Sequence, residues 1–469
     1  MSASERLLQN HRVQDGPLRI LAASGQLGYG IPEAALQFGL ARRPHLIGCD
    51  MGSIDPGPYY LGSGQMAAPA AMVYRDLELV LSAALALGIP LIIGSAGTAG
   101  ARPQLEATVA LVRAIAQAKG LRFRLTTVAS DVAPELVLQA LRAGQLQPIG
   151  PMASLTEADI LQCSHIVGQC GTETLVRALR EPTDVLIAGR ACDTAVFAAL
   201  PEMLGYPIAL CQHMAKIIEC TSLCCKPSAR DAMLAELDQD GFTLESMNPL
   251  AHATPAPVAA HALYEQANPF EVDEPTGTLL LQQAQYQALD AHRTRVSGAQ
   301  WRPRPQATLK IEGAARLGER WVLLAGVADP TLLASLDEIL QVVETRVRTL
   351  LPGDWSMHPH IYGQGAVRAL PPAQHSQHEA GLVIEFVAPT AELARTAAGV
   401  FKQNLLHHGF PGRLCSAGNL AFAFTPSELD AGTAYRFVLY HVMQAAPLDE
   451  IFRVETCVID NAGQAGAGP

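Results

Sequence analysis

Six short segments carry residues able to hold an anion or move a proton, and each follows an apolar run. They are Ser24–Gly30, Asp50–Gly57, Gly94–Gly100, Ser130-Asp131, Cys170–Glu173 and Gly189–Asp193. A carboxylate serves as general acid or base once burial or a neighbouring charge brings its proton affinity near the working pH. Asp50, Asp55, Asp131, Glu173 and Asp193 are therefore the candidates for proton transfer, and Asp50 or Asp55 equally suits a turn cap or a metal ligand. Arg190 is the candidate clamp for a carboxylate or phosphate; a structural ion pair with Asp193 or Glu173 is the alternative. Gly94–Gly100 is the strongest anion-binding candidate. Gly94, Gly97 and Gly100 let backbone N–H groups approach a ligand, Ser95 and Thr98 add hydroxyls, and a following helix start favours negative charge. Its alternative is a tight strand-to-helix turn. Ser24, Gly25, Ser53, Gly171 and Thr172 complete the set of expected substrate-binding residues.

Several chemistries lack their motif. The glycines Gly25, Gly28 and Gly30 run G-x-x-G-x-G, the reverse of the dinucleotide fingerprint, and no G-x-x-x-x-G-K-[ST] occurs. No G-x-S-x-G nucleophile elbow is present, although Gly62-Ser63-Gly64 is a short Gly/Ser turn. Cys220, Cys224 and Cys225 cluster without a second pair to complete a tetrahedral set, so core cysteines are expected. His358, His360, His407 and His408 are scattered and carry no carboxylate signature. No cofactor is identified and no metal ligands are assigned, while a divalent metal stays open.

These loops need elements to position them. Apolar runs at Leu18–Ala22, His45–Cys49, Pro90–Gly94, Phe123–Val128, His165–Gln169 and Asp184–Ala188 read as strands buried on both faces. Helical stretches alternate with them at Ala68–Leu87, Pro103–Lys119, Pro134–Arg142, Thr172–Arg180 and Thr194–Leu204. Ser154 with Glu157, Ser228 with Asp231, and Asp193 are the expected helix caps. This alternation predicts an α/β fold with a parallel doubly wound sheet, whose ligands bind beyond the carboxyl ends of the strands. From Gly241 to Gln300 the helical period fades, and an irregular closing segment is expected. Thr308–Glu312 and Trp321–Gly326 read as antiparallel partners, Leu332–Leu350 as one helix and Leu382–Val387 as a strand. Ala391–His407 follows as a helix, with Asn419–Phe424 and Ala434–Val442 as strands. The expected organisation is a flexible start (1–17), an α/β domain (18–300), a smaller α+β domain (301–460) and a disordered tail (461–469).

Composition bounds the partners. Hydrophobic residues at 49% and charged residues at 16% describe a globular chain. A net charge of −11 argues against nucleic acid, which needs clustered Lys and Arg. Met1–Gly16 shows no export signal and no apolar run reaches spanning length, so a cytoplasmic protein with reduced thiols and no membrane partner is expected. Strand edges in the C-terminal part lead to an expected homo-oligomer.

Many short stretches in order resemble the acyclic terpene utilisation family. They include Asp50–Tyr60 with the following LGSG, Gly94–Gly100, Ile218-Glu219-Cys220, Leu263–Gln266, Asn268-Pro269-Phe270 and Glu274–Thr278. Tyr286–Asp290, Arg295–Gly298, Lys310–Ala314 and Gly326–Pro330 continue the match over about two-thirds of the chain. After about residue 350 the chain is similar to the small domain that accompanies this family. The resemblance implies a place in terpenoid degradation, where acids are processed as CoA thioesters, and adds Glu219 (catalytic) and Glu265 and Asn268 (substrate-binding) as candidates. The combined expectation is a lyase of hydratase or dehydratase type acting on a branched or multi-carboxylate acid or its CoA thioester. A non-catalytic ligand-binding or partner subunit and a metal-dependent hydrolase are the alternatives.

Overall fold

The computed structural model describes residues 1–376, 378–413, 418–444 and 448–461. The chain forms two compact units, one of Met1–Ala314 with Phe437 onward, the other of Ala315–Arg436. Residues 462–469 of the expected tail lie outside the described residues.

The first unit is built on a ten-stranded sheet. Its centre is five parallel strands in the spatial order Leu18–Ser24, Leu46–Asp50, Leu91–Gly94, Val185–Ala188, Arg122–Ala129. The sheet as a whole is mixed, which corrects the wholly parallel expectation. Met233–Leu237, Phe242–Ser246, Arg293–Ser297 and Gln285–Ala288 extend one end antiparallel, and Arg453–Asp460 closes the other. Alternate residues of the central strands enter two separate cores: Ile20, Ala22 and Ile92 one, Leu21, Ile47 and Ile93 the other. Side chains of a strand alternate faces, so apolar runs without polar alternation must be covered on both sides. Helices Ala70–Leu87 and Arg102–Lys119 cover one face, Thr172–Arg180, Asp193–Met203 and Ile208–Ile218 the other.

Other expectations change locally. The start is not free chain: Ala3–Asn10 is a helix capped by Ser2, with Ala3 N–H donating to Asp184 at 2.7 Å. Cys163–Gly168 leaves the large sheet and pairs with the long strand Thr308–Val327. Gly241–Gln300 is rich in strands, short ones that alternate too briefly to register as a period. Thr308–Glu312 and Trp321–Gly326 belong to that one long strand instead of forming a pair. The cap of the short helix Glu157–Leu161 is Thr156, paired reciprocally with Asp159; no helix follows Ser228; Asp193 is the first helical residue behind Cys192.

In the second unit Ser356–Tyr362 and Ala380–Ala388 pair antiparallel, and the latter pairs with the far half of Thr308–Val327. Helices Leu336–Leu350 and Ala391–Leu406 bury Leu340, Val347, Phe401 and Leu405 with Phe386 of this sheet. The helix expected over Leu332–Leu350 breaks at Ser335, and Asn419–Phe424 contributes only a single bridge, Ala421 to Gly326.

Candidate functional site

A cavity of about 800 Å³ opens in the first unit, at the carboxyl ends of Leu18–Ser24, Leu46–Asp50 and Val185–Ala188. Ser24, Gly25, Asp50, Ser53, Asp55, Arg190, Asp193, Glu219 and Glu265 all line it. A separate groove of about 700 Å³ between helix Arg102–Lys119 and edge strand Arg453–Asp460 is lined by none of the candidates.

Arg190 is 3% exposed and forks onto the fully buried Glu312, Nε to Oε2 at 2.9 Å and Nη2 to Oε1 at 3.4 Å. Its Nη1 donates to Ser95 Oγ at 3.2 Å and stands 3.6 Å from Asp193. Burial works to raise the Glu312 carboxyl, but Arg190 and Lys310, the latter at 3.2 Å, outweigh it and hold the group below its ordinary range. Glu312 is thus a charged counter-ion. Lys310 also lies 4.7 Å from the centre of the Tyr440 ring.

A second cation, Lys216, comes from helix Ile208–Ile218. It reaches Glu219 at 2.7 Å and Glu265 at 3.5 Å, 4.7 Å from the Tyr264 ring centre. Burial raises the Glu219 carboxyl in spite of Lys216, and Asp193 adds repulsion. Burial raises Asp50 as well, with Asp193 repelling and Arg190 opposing. Asp50 Oδ2 accepts the Gly52 N–H at 2.8 Å, while Oδ1 has no hydrogen-bond partner among the described residues. Asp193 is raised by burial against the pull of Arg190 and Lys216. Three neighbouring carboxyls therefore resist losing all their protons together, which is the condition for acid and base to coexist in one site.

Glu274, on the short strand Glu271–Glu274, completes the wall. Thr194 donates to its Oε1 at 2.7 Å, and burial pushes its carboxyl up to about 7. Sequence reasoning missed Lys216, Glu274, Lys310 and Glu312 as site residues. The signal for two pairs was present. Lys216 and Glu219 have the i, i+3 spacing of helical neighbours, and Lys310 and Glu312 the i, i+2 spacing of one strand face.

The remaining candidates lie elsewhere. Gly94–Gly100 does not line the cavity. Its Ser95 and Ala96 N–H groups donate to Gly189 and Ala188 carbonyls at 2.9 and 3.0 Å, and Thr98 Oγ1 accepts from Ala67. A Cβ on Gly100 would overlap the Arg190 backbone nitrogen, and one on Gly97 would crowd Gln104. The loop expected as an anion cradle therefore packs closely against the segment that carries Arg190. Asp131 is not in the cavity but accepts the Arg102 N–H at the start of helix Arg102–Lys119, at 3.2 Å. Gly171, Thr172, Glu173 and Asn268 are also outside the lining. Thr172 Oγ1 accepts from Gln212 at 2.8 Å, Gly171 is pressed against Glu173 and Pro275, and Asn268 accepts from the Phe270 N–H in a turn.

Cys192 and Cys220 line the cavity with thiols raised by burial, and Cys224 and Cys225 are buried. Among the described residues no three His, Cys, Asp or Glu side chains are grouped to hold a metal ion. No described helix is long and apolar enough to cross a membrane.

Comparison with curated proteins and with solved structures returned no match. The family model described as acyclic terpene utilisation family protein AtuA matches residues 70–422, well over half of the chain. That span contains Arg190, Asp193, Lys216, Glu219, Glu274 and Lys310, so the matched region supplies most of the charged wall. The chain belongs to the acyclic terpene utilisation family AtuA.

Proposed function

We propose that the protein is a catabolic hydro-lyase that adds water to, or removes it from, a branched or multi-carboxylate acid, free or as its CoA thioester. The observation carrying this reading is the cluster of Asp50, Asp193 and Glu219 around two shared cations, Arg190 and Lys216. Elimination and hydration need one carboxylate to take a proton alpha to a carbonyl and one acid to return a proton to oxygen. A shared charge cluster keeps both protonation states available near neutrality. Glu219, whose proton affinity is raised, is the proposed acceptor of the alpha proton, and Lys216 steadies the anion before the proton arrives. Lys310 and Arg190 offer positive charge to the substrate carboxylate or thioester oxygen. Membership of a terpene-utilisation family supports a branched acyl substrate.

The test is a panel of branched and multi-carboxylate hydroxy acids, unsaturated acids and their CoA thioesters, followed by water addition or loss and by solvent-deuterium exchange at the alpha carbon. Glu219→Gln should cut both by about 10²–10⁴-fold. Turnover unchanged in Glu219→Gln removes that residue from the role. A ligand that binds tightly and stays unchanged would make the protein a binding subunit instead.

A further inference from the structure

The carboxyls in and directly behind the cavity wall differ in one respect. Asp50 and Asp193 feel Arg190, Glu219 is paired with Lys216, and Glu312 has both Arg190 and Lys310. Glu274 is 8% exposed and has no ion pair among the described residues. Glu173 and Asp193 repel its charged form, Glu202 lies on the neighbouring helix and the Cys192 thiol beside the carboxyl, while Arg304 of the same wall is paired with Asp273. An isolated carboxylate in such a place is costly, and the neutral acid is the cheaper form.

Hydrogen bonding then decides which oxygen holds the proton. The Thr194 hydroxyl donates to Oε1, so that atom is the acceptor. A proton on the carboxyl would then sit on Oε2, which is buried just behind the cavity surface and has no hydrogen-bond partner among the described residues. A thiol is a weak donor and does not replace one.

We propose that Glu274 is a second proton-transfer residue, kept as a neutral carboxylic acid, which protonates the departing hydroxyl of a β-hydroxyacyl substrate. The assignment rests on the hydro-lyase reading. In the dehydration direction the base takes the alpha proton, and the C–H electron pair becomes the new C=C bond. The C–O pair leaves with the oxygen, which takes the Oε2 proton and departs as water. Glu274 ends as carboxylate and the base ends protonated; hydration is the reverse. Burial that raises Glu274 to about 7 keeps a large acid fraction near neutrality.

Two readouts test this separately from the reaction itself. Infrared difference spectra of wild type against Glu274→Gln, at mildly acidic pH, should show one protonated-carboxyl C=O band lost in the variant. No such band means a carboxylate, and overturns the proposal. On a β-hydroxyacyl acid or thioester that the wild type dehydrates, Glu274→Gln should lose about 10²–10⁴-fold in water loss while alpha-deuterium exchange persists. Wild-type dehydration by the variant, or equal loss of exchange and dehydration, overturns the leaving-group role. If the band is lost but the wild type neither exchanges nor dehydrates any member of the panel, the hydro-lyase reading fails and takes that role with it, while the protonation state stands. Thr194→Val keeps the carboxyl and removes a hydrogen bond that lowers its proton affinity. The fall of activity on the alkaline side should move to higher pH in this variant; an unmoved limb counts against Glu274.

Discussion

Two glycine-bearing loops follow neighbouring parallel strands and end in different roles. Asp50–Gly57 opens on the cavity, with Asp50, Gly52, Ser53 and Asp55 in its wall. Gly94–Gly100, one strand over, is buried throughout, and Ser95 and Ala96 give their N–H groups to the loop that carries Arg190. A glycine-rich turn binds anions through amides left unbonded; here those of Ser95 and Ala96 are taken by the segment that carries Arg190, and that of Thr98 by Ser95. The small residues of Gly94–Gly100 let the Arg190 backbone pass close by, and Ser95 Oγ steadies the guanidinium. The loop thus contributes to the site indirectly, by placing its cation.

This contrast can be broken at several points. The largest effect on stability should come from Glu312→Ala, which leaves the Arg190 guanidinium buried without its forked partner. A loss of about 3–5 kcal/mol is expected in denaturant unfolding. Replacing both residues together by apolar ones of similar size should recover most of it. Wild-type stability in the single variant would mean that Arg190 is held by the Gly94–Gly100 side alone.

Next come the two loops themselves. Gly100 has φ +68° and no room for a Cβ, while Gly57 has φ +102° with nothing within 4 Å of one. Gly100→Ala should cost roughly 2–4 kcal/mol, strain and overlap together, and Gly57→Ala about 1–3 kcal/mol of backbone strain alone. Equal costs would show that conformation, not packing, governs both turns.

The smallest effect is a pH dependence that separates the acid wall from the ion-paired one. Burial raises Glu274 to about 7 and Glu202 to about 8, against an ordinary value of 4.5. The folded protein then holds protons that the unfolded chain has released. Their stabilising contribution is complete below about 4.5 and is lost as pH rises through 7 to 8. The thermal midpoint should fall as pH rises over that window, and less so in Glu274→Gln. The lowered Glu312 acts with opposite sign: its contribution is present above the ordinary carboxyl value and is lost only as pH falls through its lower folded one. A flat profile between mildly acid and mildly alkaline pH would remove the raised carboxyls from the picture.

The central strands and most helices were legible in the sequence because their signals are local. Pro134–Arg142 and Thr172–Arg180 fold at the expected residues, and Leu18–Ser24 and Leu46–Asp50 follow their apolar runs. Asp50, Arg190 and Asp193 were legible for a related reason: they follow buried strands, and strand ends of one parallel set share a rim. Glu219 and Glu265 entered through the family resemblance. Lost were the antiparallel flanks and the fate of Cys163–Gly168, since which edge a strand joins is a matter of partners far along the chain.

The sequence by itself determined that buried strands would deliver Asp50 and Arg190 to a common edge, because hydrophobic periodicity and chain direction suffice for that. Only the tertiary structure decided what those residues are. Glu312 lies 122 residues beyond Arg190, yet it makes the arginine half of a buried pair. Lys216 decides the company of Glu219, and Glu274 is left without an ion pair although five cationic side chains line the same cavity. Charge pairing and desolvation depend on distance through space and on exclusion of water, and neither is written in the order of residues along a chain.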